Sequence, residues 1–199
     1  MTLPLPDLKR ELRRRLRTTL SSLPPEWRRA TSVQACRLLL QQSVWRQASA
    51  VLLYSPMPEE VDIRETADAA LAGRKIVALL CFDAVNGGYV ARRIANWERD
   101  LVPGAFGIRE PTGRCPLVDL KRLDFVLVPG LGFTADGRRL GRGKGFYDRV
   151  LRQVRGFKCG VAFDQQVVDE IPVEPHDVRL DCILTPTRWC GVNQRVVLN

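Results

Sequence analysis

Residues 123–151 read LDFVLVPGLGFTADGRRLGRGKGFYDRVL, and the order of parts within this stretch decides the fold. It opens on an apolar run, LDFVLVP (123–129), short enough for a strand and lacking the alternation of a strand wetted on one face. It closes on FYDRVLRQV (146–154), which carries helical periodicity. A strand buried on both faces and followed by a helix is the unit of a parallel sheet. Working outward, the same unit recurs. ASAVLLYS (48–55) and KIVALLCF (75–82) read as buried strands, with DIRETADAALAG (62–73) between them as a helix closed by Gly73. FKCGVAF (157–163) and CILTP (182–186) supply further strands, and GGYVARRI (87–94) reads as a shorter edge strand. LVPGAFGIREPTGRCP (101–116) is rich in Pro and Gly and reads as loop. The expectation is a three-layer α/β/α fold, with a mainly parallel sheet and helices on both faces. A chain of 199 residues accommodates it as one domain spanning 1–199.

Two helices precede the first strand. Leu8, Leu12, Leu16 and Leu20 stand four apart, one apolar stripe on a helix over 7–20. SSLPPEWRRATSVQACRLLLQQSVW (21–45) reads as a second helix, with Ser22 as its cap and Pro24 and Pro25 in its opening turn. Lys9 and Arg13 lie beside the leucine stripe and point toward the body of the protein, whereas Arg10 and Arg14 turn further out.

Composition narrows the setting. A hydrophobic fraction of 45% suits a folded protein, and the formal net charge of +9 favours anionic partners or simply a solvated basic surface. Cys36, Cys81, Cys115, Cys159, Cys182 and Cys190 show no C-x-x-C spacing, and several sit in strand-like runs. They read as buried hydrophobes of a reducing compartment. No apolar leader or membrane-length stretch is seen, so the expected location is the cytoplasm, with no membrane partner.

The glycine segment itself carries the chemistry. RRLGRGKGFYD (138–148) packs four cations, three alternate glycines and one aspartate into eleven positions. Glycines admit close backbone approach, and Arg139, Arg142 and Lys144 offset negative charge, a pattern suited to a polyphosphate. A tight strand-to-helix turn explains one or two glycines but hardly three interleaved with cations. The helix that follows also favours an anion at its N-terminus. Three familiar motifs fail. A P-loop needs its first glycine one residue later than Gly137 and a hydroxyl residue at Gly145. GLGFTA follows a strand, but Asp136-Gly137 makes a turn where a dinucleotide fold opens a helix. His176-Asp177 suggests a metal phosphohydrolase, yet His176 is the sole histidine; it reads as a loop hydrogen-bonding residue.

Taken whole, Pro129 to Asp148 resembles the P-G-[LV]-[AG]-F-D-x-x-G-x-R-L-G-x-G-x-G-[YF]-Y-D block of the 5-formyltetrahydrofolate cyclo-ligase family. Thr134 stands where Asp is usual, and Phe146 where Tyr is frequent. KRELR (9–13) is similar to the family's K-x-x-L-R, and EPHDVRLDCILT (174–185) to its H-D-x-x-x-D segment. Glu60 in YSPMPEEVDI stands where the family has an acidic residue after the first strand.

The resemblance implies a Mg²⁺-dependent enzyme that turns 5-formyltetrahydrofolate, or its polyglutamylated form, and ATP into 5,10-methenyltetrahydrofolate, ADP and phosphate. The γ-phosphoryl group would activate the formyl oxygen, N10 would close the ring, and phosphate would leave. It implies a nucleotide site of Lys9, Arg10, Arg13 and Arg139 through Tyr147: Leu140, Gly141, Arg142, Gly143, Lys144, Gly145 and Phe146 lie between. Substrate contacts would be Ser55, Met57, Glu60, Phe106, Phe146 and Tyr147, although a core role for Phe106 is as good a reading. Lys144, Arg142 and Glu60 would act in catalysis, and Asp148 and Asp181 would hold the metal. Without the resemblance, Asp148 is an ordinary early-helix residue and Asp181 a strand-edge residue. Two other readings stay open: an ATP-using relative with another substrate, and a non-catalytic nucleic-acid-binding relative. The latter lacks any RNA-recognition signature, so no nucleic acid partner is expected, and a monomer is the expected state.

Overall fold

The computed structural model describes residues 4–85, 87–104 and 107–192. Three helices lead: α1 (Leu5–Ser22), α2 (Pro25–Leu40) and α3 (Ser43–Gln47). Then come β1 (Ala50–Leu53), α4 (Arg64–Ala72), β2 (Ile76–Asp83) and β3 (Gly88–Ile94). Short strands β4 (Leu101–Pro103), β5 (Arg109–Pro111) and β6 (Leu117–Val118) precede β7 (Phe125–Pro129). The glycine segment holds β8 (Gly132–Phe133) and β9 (Arg139–Leu140), and it leads into α5 (Phe146–Leu151). β10 (Phe157–Val161), β11 (Cys182–Leu184) and β12 (Trp189–Gly191) complete the described chain.

The main sheet has eight strands in the order β12-β11-β10-β7-β1-β2-β3-β6. β11, β10, β7, β1 and β2 run parallel, and antiparallel strands flank them on both sides. The α/β class with a mainly parallel sheet is therefore as read from the apolar runs. Alternate residues of each strand serve opposite faces. Val51, Leu53, Phe125 and Leu127 meet Leu20 of α1, Leu39 of α2, Trp45 of α3 and Ala67 of α4. Ala50, Leu52, Val126 and Val128 meet Val150 and Leu151 of α5. All six cysteines are free, and all but Cys190 are buried, as expected of small hydrophobes.

Several boundaries differ from the sequence reading. The expected second helix is two: Gln42 is extended (ψ 135°) between α2 and α3. Ser22 is the last residue of α1, and Pro24 takes the cap position of α2 with no side-chain cap. β3 is not the edge, since it pairs with β2 on one side and with the two-residue β6 on the other. The expected loop over 101–116 contains the β4–β5 ribbon. Strands this short, with Pro at their ends, give no periodic signal. α5 stops at Leu151, three residues before the expected end.

The order of the parallel strands positions the site. From β1 the chain moves to β2 on one side and later returns to β7 on the other. That reversal opens a crevice beyond the carboxyl ends of β1 and β7, where ligands bind in open α/β sheets.

Candidate active site at the strand crossover

A cavity of about 630 Å³ lies at this crevice, within the size range of small-ligand sites. Ser55, Met57 and Glu60 reach it from the segment after β1, and Pro129 and Gly130 from the end of β7. The glycine loop lines it from Arg139 through Asp148, and α1 adds Lys9 and Arg13. Residues from four distant parts of the chain thus share one cavity.

The loop is built from below. Thr134 and Asp136 join their side chains at the β8–β9 turn, and the Arg138 amide donates to the Thr134 hydroxyl at 3.0 Å. Thr134 therefore holds this turn through its hydroxyl. The hairpin delivers Arg139 under the loop, where its guanidinium donates to Asp148 Oδ1 (2.9 Å) and to the Pro129 carbonyl (3.2 Å). A Cβ on Gly141 would stand 3.0 Å from that guanidinium, a tight contact that would push the Arg139 side chain aside. The Arg139 Nε is buried and has no hydrogen-bond partner. Gly143 has φ 108°, a conformation that side-chain-bearing residues rarely adopt. Arg13 Nε donates to the Gly141 carbonyl at 3.0 Å, tying α1 to the loop.

Charge within the cavity is matched in pairs. Lys9 is 7% exposed and its Nζ donates to Glu174 Oε2 (2.7 Å) and Asp177 Oδ2 (2.8 Å). Burial pulls the Lys9 ammonium down, but these hydrogen bonds and charges more than offset it and raise its pKa. Burial likewise pushes the Asp177 carboxyl up, yet Lys9 and the Glu174 amide hold it below the ordinary value. Arg142 donates from Nε (3.2 Å) and Nη2 (3.0 Å) to Glu60 Oε1, and Glu60 Oε2 accepts from the Met57 amide (3.1 Å). Burial drives the Tyr147 phenol well above its usual range, and the nearby Glu60 charge adds to the effect. Tyr147 stays neutral and also carries Arg139 over its ring, 5.6 Å from the centroid.

Most of the expected site residues meet here. Lys9, Arg13, Ser55, Met57, Glu60 and the run 139–148 all line the cavity. Three do not. Arg10 faces outward, its side chain 79% exposed and paired with Asp7 at 2.9 Å. Phe106 lies outside the described residues. Asp181 sits just before β11, where its Oδ2 accepts from the Lys158 amide (2.8 Å), and it is not among the residues lining the cavity. Parallel strands place their amino ends on the side of the sheet opposite the crevice, so Asp181 anchors β10 to β11 and is not beside Asp148. α5, at six residues, is also too short for its dipole to contribute much.

The cavity also holds residues to which the sequence reading gives no part in the site. Glu174, His176 and Asp177 bring ligand atoms within 4.8 Å of one another, and Asp177 belongs to the very H-D-x-x-x-D segment from which Asp181 was chosen. The motif gave two aspartates and nothing to say which faced inward. Tyr89 on β3 packs on Phe146 with centroids 4.7 Å apart, extending the aromatic wall. A lone Tyr on a strand carries no signal of this.

Comparison with known proteins supports the same reading. The model of the 5-formyltetrahydrofolate cyclo-ligase family matches residues 7–186. The mouse 5-formyltetrahydrofolate cyclo-ligase is 28% identical over 88% of this chain and 92% of its own length. The enzyme of Mycolicibacterium smegmatis is 44% identical over 91 residues, a match spanning 47% of that relative. The NMR structure of Aquifex aeolicus 5,10-methenyltetrahydrofolate synthetase superposes with a TM-score of 0.85 at 32% identity, covering 96% of both chains. A cavity at the strand crossover, walled by the Pro129–Asp148 block and closed by Lys9 and Arg13, is thus found in a chain that belongs to the 5-formyltetrahydrofolate cyclo-ligase family.

Proposed function

We propose that the protein converts 5-formyltetrahydrofolate and ATP into 5,10-methenyltetrahydrofolate, ADP and phosphate. The observation that carries this reading is one cavity with two chemically distinct walls. The glycine loop with Arg139, Arg142 and Lys144 suits the phosphates. Glu60, Tyr89, Phe146 and Tyr147 suit a flat heterocycle that bears N–H donors. The orphaned Arg139 Nε and the glycine cradle are features that a bound polyphosphate would use.

The chemical difficulty is a formamide oxygen, which leaves poorly until it is phosphorylated. Lys144 and Arg142 stabilise charge on the transferring phosphoryl group, a positioning and electrostatic task. Glu60 accepts donors of the reduced pterin and sets the formyl carbon against N10. Tyr54, which is buried, and Tyr147, which is half-buried, would limit access of water to the activated carbon. Mg²⁺ would be held by Glu174 and Asp177, whose ligand atoms lie with that of His176 within 4.8 Å of one another, with Asp148 a further carboxylate of the cavity lining, and it would supply positive charge to offset that of the phosphates. Lys9 takes one oxygen from each of Glu174 and Asp177 and leaves the others available.

An absorbance assay for the methenyl product, run with and without ATP and Mg²⁺, tests this reading. Product should form only with both present, and ADP should appear in step with it. Product without ATP would overturn the reaction, and no product under any condition would overturn the assignment.

A further inference from the structure

Arg142 joins the two walls of the cavity, paired with Glu60 at 3.0 Å and, more loosely, with Glu59 at 3.8 Å. Arg142 belongs to the glycine loop and Glu60 to the segment after β1, 82 residues apart in sequence. Both Nε and Nη2 of Arg142 rest on the same oxygen, Glu60 Oε1. The other oxygen accepts from the Met57 amide, and the Glu60 amide in turn donates to the Met57 carbonyl at 2.9 Å. Glu60 is therefore fixed from both sides in a closed turn, with its side chain 9% exposed. Arg142 is the movable partner. Its side chain is 33% exposed, and it sits between Gly141 and Gly143, the latter at φ 108°.

We propose that Arg142 is a two-position residue that couples the subsites, resting on Glu60 in the empty protein and moving to phosphate when nucleotide binds. This rests on the functional reading above. One guanidinium cannot give the same N–H groups to a phosphate and to Glu60 together. Nucleotide that takes Arg142 frees Glu60 Oε1 to accept an N–H donor from the second substrate. A second substrate that takes Glu60 frees Arg142 for phosphate. By linkage, each ligand then tightens the other by the same factor. The empty site keeps both groups satisfied, so neither a bare carboxylate nor a bare guanidinium is left half-buried.

The test is calorimetric titration of 5-formyltetrahydrofolate into the full chain, with and without saturating Mg²⁺ and a non-hydrolysable β,γ-imido analogue of ATP. The native protein should bind the folate about 5-fold or more tightly when nucleotide is present, within the usual range of coupling. Arg142→Ala should bind the folate alone more tightly than the native protein does, and the gain on adding nucleotide should fall to about 1-fold. Glu60→Gln should bind the analogue alone more tightly, for the reciprocal reason. A merely structural ion pair would produce neither gain. Independent binding of both ligands to the native protein, or unchanged coupling in Arg142→Ala, would overturn this inference and leave the functional reading standing. Failure to bind either ligand would overturn both.

Discussion

Position within the cavity, rather than charge, should decide which cations matter. Lys144 stands between Gly143 and Gly145 and lines the cavity, whereas Arg14 is 72% exposed and paired with Glu11 on the outer face of α1. Lys144→Ala should cost about 2–4 kcal/mol of transition-state stabilisation, on the order of 10²–10³ in turnover. Arg14→Ala, which deletes the same charge, should stay within assay error in moderate salt. Equal losses would mean that the positive field, and not a contact, is what the loop supplies. The two aspartates separate in the same manner. Asp148→Asn should raise the Mg²⁺ concentration needed for half-maximal activity by about tenfold, equivalent to roughly 1.4 kcal/mol. Asp181→Ala should leave that requirement alone and lower the melting temperature, since it strands the Lys158 amide at a cost of about 1–3 kcal/mol. A shift in Mg²⁺ requirement with Asp181→Ala would return that residue to the metal site. The sequence offers carboxylates for this role but carries nothing that orients them. Three residues separate Asp177 from Asp181, and only the path of the chain from crevice to strand start tells them apart.

The element most exposed to a change of conditions is α1, which contributes Lys9 and Arg13 from outside the sheet. Its docking combines Leu16 and Leu20 in apolar clusters with the Lys9 pairs to Glu174 and Asp177. Asp177 has its carboxyl below the ordinary value of 3.8 in the folded protein. A group depressed on folding adds stability above its unfolded value and loses it as pH falls through the folded one. Asp177→Asn should therefore melt at a lower temperature than the native protein at pH 7, with the difference closing in acid as the pH falls below 3.8 and through the depressed folded value. A constant difference across that range would show that Asp177 acts through packing alone. α1 was legible because a leucine stripe repeats over four turns and fixes which cations face inward. The buried strands were legible for the related reason that burial on both faces leaves unbroken apolar runs. The β4–β5 ribbon and β6 were not, because two or three residues span too little of a period to show one. The break between α2 and α3 was hidden as well, since QQS carries neither proline nor glycine to mark it.

Across the whole molecule, the crossover of the parallel strands and the surplus of positive charge act at different ranges. The crossover fixes where the cavity lies, so that the β1 segment, the β7 loop and α1 converge on one crevice. The formal net charge of +9 acts further out, drawing polyanions toward that crevice before any contact forms. Exposed charges are screened beyond a Debye length of about 10 Å at 0.1 M salt and about 3 Å at 1 M, whereas buried pairs are screened far less. Lys9 and Arg139, whose side chains are 8% and 5% exposed, belong to the second class throughout, whereas Arg142, 33% exposed, and Lys144, exposed, join it only once bound phosphates cover them. Raising salt from about 0.05 to 0.5 M should therefore raise KM for both anionic substrates several-fold while changing kcat by less than about twofold. Chloride in place of acetate as the anion checks for simple occupation of the phosphate site, which would raise KM more for ATP than for the folate. If kcat fell in parallel with the rise in KM, the catalytic cations would be reached by bulk ions. The cavity would then be open to solvent during turnover, and bound phosphates would not cover Arg142 and Lys144 in the state that carries out the reaction.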